Sequence, residues 1–76
     1  MSPDKLVYMA NQIAVFFQTR QHDEAVDGIA EHINNFWEPR MREQFFEIVE
    51  TGGDGLMPLV LEAAAKVRRP KPATAV

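Results

Sequence analysis

The sequence predicts an all-α fold, a small bundle of about four short helices. Apolar residues recur at steps of three and four in four separate stretches, the pattern of a helix with one buried stripe. Prolines and a glycine cluster punctuate these stretches at their ends, where helices start and stop. No stretch alternates apolar and polar residues as a half-buried strand does.

Ser2 followed by Pro3 opens the first helix. The serine oxygen can accept from the free amides of the first turn, and proline suits the first helical position. Asp4 adds favourable charge there. Leu6, Met9, Ala10, Ile13, Phe16 and Phe17 then form one stripe on a helix running to about Gln18. The polar run TRQHDE, residues 19 to 24, makes the connection, with Asp23 as candidate cap for a second helix. Val26, Ile29, Ala30, Ile33, Phe36 and Trp37 carry the second stripe. Gly28 interrupts it at a cost of about 1 kcal/mol relative to alanine, and could let another backbone come close.

Pro39 disfavours helical geometry at Glu38, so the second helix ends near Trp37, and Pro39 itself can open a third. Met41, Phe45, Ile48 and Val49 form its apolar face, with Arg42 and Phe46 alongside. TGGDG, residues 51 to 55, is a stop signal, because glycine takes the left-handed cap conformation readily. A fourth helix follows, capped near Asp54 or Gly55, with Pro58 in its first turn. Leu56, Val60, Ala63 or Ala64, and Val67 make its stripe, Glu62 and Lys66 form an i,i+4 pair, and Arg68 and Arg69 stand at its negative end. Residues 1–69 read as one helical domain and 70–76, with two prolines and little to bury, as a disordered tail.

Composition narrows the function. The 76 residues carry no cysteine, which excludes disulfides and thiolate metal sites. A domain this small rarely gains more than ~3–5 kcal/mol from its own core, so a partner is an expected source of further stability. A net charge of −3 offers no electrostatic attraction to nucleic acid or an anionic membrane. No apolar run approaches the ~20 residues of a membrane span, and MSPDKLVYMAN does not read as a secretory signal. A cytoplasmic location is expected.

No catalytic, cofactor-binding or metal-binding residue is expected in this chain. His22 and His32 lack metal-ligand spacing, no nucleophile–base set is visible, and TGGDG has neither the preceding strand nor the Gly-Lys-Ser/Thr of a phosphate loop. Glu43, Glu47 and Glu50 read as a solvated face. His32 reads either as a half-buried histidine bonded to a neighbouring amide or carbonyl, or as an interface residue. Trp37, Arg40, Met41 and Arg42 read as a structural corner and as an anchor cluster, since binding energy concentrates on tryptophan, tyrosine and arginine. The adjacent pairs Phe16/Phe17 and Phe45/Phe46 point about 100° apart around a helix. So small a domain hides one ring of each pair more easily than both, and the surplus suggests a docking patch. The expected partner-binding set is Phe16, Phe17, His32, Trp37, Arg40, Met41 and Arg42.

MANQIAVFF, GIAEHINNFWEPRMR and GGDGLMPLVLEAA resemble the delta subunit of cytoplasmic NAD-dependent, molybdenum-containing formate dehydrogenase, from about Leu6 to Arg69. The resemblance implies a multi-subunit enzyme that oxidises formate and passes electrons to NAD. Its large subunit would hold a molybdopterin cofactor and iron–sulfur clusters, other subunits would hold flavin and further clusters, and the delta subunit would hold no redox centre. It implies a non-catalytic accessory role in assembly or stability, with the large catalytic subunit as partner. Two alternatives stand beside it: a transient maturation factor assisting molybdenum cofactor insertion, and a free-standing helical protein binding a small anion through His32, Arg40 and Arg42. The isolated chain could also pair with itself through exposed rings.

Overall fold

The structure, a computed structural model, describes residues 1–70; the expected tail beyond Pro70 lies outside them. Four helices follow in order: α1, Pro3–Phe17; α2, His22–Phe36; α3, Pro39–Glu50; and α4, Pro58–Ala64. The described residues contain no strand, and no described helix is long and apolar enough to cross a membrane.

The ends follow local chemistry. Ser2 Oγ accepts from the Lys5 backbone N–H at 3.3 Å and caps α1. Asp23 does not cap α2: Gln21 holds that position without a side-chain bond, and Asp23 and Glu24 fall in the first turn, where their charge opposes the exposed amides. Pro39 holds Glu38 extended (φ −62°, ψ 156°). Trp37 is extended as well (φ −88°, ψ 131°), so α2 ends one residue earlier than the stripe suggests. At the end of α3, Gly52 N–H donates to the Val49 carbonyl at 3.3 Å and Gly53 N–H to the Ile48 carbonyl at 2.8 Å. This is a Schellman arrangement. Gly53 sits at φ +67°, and a methyl there would come 2.7 Å from Leu61 Cδ2. Leu61 is surface-exposed and can rotate away, so the backbone decides the cost, about 1–2 kcal/mol for an L-residue in the left-handed region. Gly53→Ala is expected to lower the melting temperature of the isolated chain by roughly 4–16 °C, measured by circular dichroism; an unchanged value would contradict this cap.

The helices pack around one core. Leu6, Ala10 and Ala14 of α1, Ile29 and Ile33 of α2, Phe45 of α3, and Val60 and Ala63 of α4 are all buried. α1 packs against all three other helices, and its inner face carries small alanines that allow close approach. Trp37, just past α2, turns inward and meets Phe45 edge to face at 5.9 Å. Phe46 is buried too, beneath the Arg69 guanidinium at 4.3 Å from its ring, while Arg69 pairs with Glu50. The expectation that only one ring of each phenylalanine pair is hidden therefore fails for Phe45/Phe46, where the cation near the C-terminus supplies the extra cover.

α4 is shorter than expected. It begins at Pro58 with Met57 as its cap residue and gives way after Ala64 to tighter i→i−3 turns that bury Val67. Glu62 and Lys66 do not pair with each other. Glu62 meets His22 at 2.8 Å and Lys66 pairs with Asp27, so both reach across to α2. The hydrogen bond that Lys66 Nζ donates to the Asp27 carboxylate, then the charge of that carboxylate, hold the Lys66 ammonium above its ordinary pKa. That contribution is present while lysine is protonated in the unfolded chain and is lost only on the alkaline side.

Two asparagines bracket this short helix. Asn11 Nδ2 of α1 donates to the Gly55 carbonyl at 2.8 Å, and its Oδ1 accepts from the Met57 N–H at 2.9 Å. Asn34 Nδ2 of α2 donates to the Lys66 carbonyl at 3.1 Å, and its Oδ1 accepts from the Arg68 N–H at 2.7 Å. One amide fixes the entry to α4 and the other its exit.

Candidate functional site

The expected partner-binding residues divide into two groups. Trp37, Met41 and Arg42 belong to the corner between α2, α3 and the segment after α4. Trp37 is 5% exposed, so its ring is a core element and cannot also anchor a partner in this conformation. Met41 is half-buried against the core. Arg42 Nη1 donates to the Arg68 carbonyl at 2.6 Å, and its buried Nε has no partner among the described residues. Arg40 is exposed and makes no ion pair among the described residues. Much of HINNFWEPRMR is thus structural, with Asn34, Trp37 and Arg42 tying elements together.

Phe16, Phe17 and His32 form the second group, and the structure brings them together. α1 and α2 leave a recess of about 400 Å³ between them, lined by Gln12, Ile13, Phe16, Phe17 and His32. It adjoins a second of about 260 Å³, which shares Phe17 and His32 and adds Gly28, Glu31, Asn35 and Phe36. The floor is built around Gly28. A methyl group there would stand 2.5 Å from the Phe17 ring, so the missing side chain admits an aromatic ring from α1 rather than a second backbone. Phe17 meets Phe16 edge to face at 5.0 Å, and the Arg20 guanidinium lies 5.6 Å from the Phe17 ring. The His32 ring has no hydrogen bond among the described residues; it rests on Phe36, 4.8 Å between centroids. Phe16 is 67% and Phe36 72% exposed, so the two rings stand as posts beside an apolar trough.

Phe36 is absent from the expected set. Its spacing with Ile29 and Ile33 assigns it to the core, but as the last helical residue it lies about 60° round the helix from Ile33, at the edge of the stripe, and stays outside while Trp37 packs inward. Tyr8, Met9 and Val15 on α1 are likewise exposed. A signal for this face was present: from Leu6 to Thr19 the chain has no charged residue, so the outer side of α1 lacks the charges that normally cover a solvent-facing helix. Among the described residues no group of three or more His, Asp or Glu side chains is placed to hold a metal ion.

A protein-family model, described as NADH-dependent formate dehydrogenase delta subunit FdsD, matches residues 5–64. That span includes Asn11, Gly28, Asn34, the Trp37–Pro39 corner and the whole aromatic recess. No curated protein and no solved structure matches the chain. With most of its length matched, from within α1 to the end of α4, the chain belongs to the formate dehydrogenase delta subunit family.

Proposed function

We propose that the chain is a non-catalytic accessory subunit of an NAD-dependent formate dehydrogenase complex. It docks on the large catalytic subunit and supports assembly or stability, while molybdopterin, iron–sulfur clusters and flavin reside in the partner subunits. The observation that carries the docking role is the exposed aromatic trough. A chain with little stability to spare gains nothing alone by keeping Phe16 and Phe36 in water, whereas rings of this kind become anchors once a partner covers them.

The test is co-expression with the large subunit and recovery through a tag on that subunit. Phe16→Asp combined with Phe36→Asp places charge where the partner would seat. Hot-spot residues are worth ~2 kcal/mol or more, so recovery is expected to fall at least about 30-fold. The isolated variant should melt within a few degrees of the unmodified chain, because both rings are exposed. Undiminished recovery would sink the trough as the docking site. Stoichiometry separates the two roles: a permanent subunit stays in the purified active enzyme, and a maturation factor leaves it.

A further inference from the structure

We infer that the trough receives a single amphipathic α-helix of the partner subunit, lying along the seam of α1 and α2, with lysine or arginine on its flank nearer α2. The inference rests on the docking role proposed above and names what docks.

Three features point to a helix with that flank. The trough is walled by two helices whose backbone groups are already bonded within each helix, so an entering strand would find no ladder and would bury unpaired N–H and C=O groups. A helix satisfies its own backbone and needs only an apolar stripe, which Phe16, Ile13 and Phe17 on one wall and His32 and Phe36 on the other would meet. The walls also differ in charge. α1 is uncharged from Leu6 to its end, with Lys5 before this stretch and Arg20 beyond it. On α2, Glu31 lines the recess, Glu24 precedes it by two turns on the same face, and neither makes an ion pair among the described residues. A partner helix is therefore matched by cations on one flank and neutral residues on the other.

A second copy of this chain fits less well. It would bring another net charge of −3 and set Glu24 and Glu31 near their own equivalents. One helix face about 22 Å long and 10 Å wide also falls well short of the ~800 Å² per partner of a standard interface. A partner that encloses its helix in a larger fold has no such limit.

The experiment places a photo-reactive benzoylphenylalanine at Gln12 or, separately, at Asn35, one on each wall, in the full chain assembled with the large subunit. Both positions are expected to cross-link to one stretch of the large subunit no longer than about 15 residues, at helical three-and-four spacing. Cross-links to two distant stretches, or to a second copy of this chain, overturn the inference. Absence of cross-links in a complex that still assembles overturns it too, while leaving the accessory role standing. Failure of the unmodified chain to assemble at all removes that role and this inference with it. For the charge, Glu24→Lys with Glu31→Lys is expected to slow association by roughly tenfold at low ionic strength, the difference shrinking in high salt. An unchanged or faster rate overturns the cationic flank.

Discussion

Phe45→Ala is expected to leave the isolated chain largely unfolded at 25 °C. Phe45 is the largest of the fully buried side chains. Its ring meets Trp37 at 5.9 Å and Phe46 at 5.7 Å, so truncation empties the place where α3 and the corner after α2 meet the other helices. Such truncations cost about 3–5 kcal/mol, and the core of a cysteine-free domain of this size rarely supplies more than ~3–5 kcal/mol by itself. The far-UV helical signal and the urea midpoint of the isolated chain measure the effect. A cooperative melt close to that of the unmodified chain would mean that Phe45 is not the centre of the core. Phe16→Ala is the matched control, since an exposed ring should change stability by no more than about 0.5 kcal/mol. If the chain docks as proposed, the partner binds only the folded form and stabilises it by mass action. Phe45→Ala should then lose less in co-expression than in isolation.

The contrast between Phe45 and Phe16 marks how far the sequence could be read. The helices themselves were legible, because their signals are local: Ser2–Pro3, the Pro39 break, the TGGDG stop, and apolar stripes at helical spacing. The packing of individual rings was not, because it depends on where one element ends relative to another. Phe36 and Trp37 share a stripe on paper, yet Phe36 falls at the edge of that stripe and stands in water while Trp37, just past the helix end, packs into the core. Phe46 reads as surplus in the sequence because its cover, Arg69, comes from 23 positions further on. The exposed aromatic recess is half visible for the same reason: residue type picks out Phe16, Phe17 and His32, whereas Phe36 requires the fold. Arg42 has an arginine's usual interface credentials, but its guanidinium is occupied by the Arg68 carbonyl. Asn11 and Asn34 gave no sign of their roles, because their partners lie more than thirty positions away.

Those two asparagines carry the remaining prediction. α4 has seven residues, far below the length at which a helix holds itself in water. Its buried Val60, Ala63 and Ala64 hold it to the core, and the amides of Asn11 and Asn34 hold its two ends. Asn11→Ala removes two hydrogen bonds at the entry and Asn34→Ala two at the exit. Each is expected to cost about 1–2 kcal/mol in urea melts, given a net ~1 kcal/mol per bond and partial access of water to the freed groups. The double variant should lose less than the sum. With both ends free, the native state itself changes to one in which α4 detaches more readily, and two sites acting on one element are not independent. Amide hydrogen exchange distinguishes this from a uniform loss. Protection at Leu61, Ala63 and Ala64 should collapse in the double variant while Ile29 and Ile33 of α2 stay protected. Strict additivity, with exchange rising equally in α2 and α4, would instead show that the four helices unfold as one unit and that the asparagines are ordinary surface contacts. Because the trough is lined by α1 and α2, a chain with α4 loosened should still bind if the chain docks there as proposed, so the same variant separates what holds the domain together from what it is proposed to hold on to.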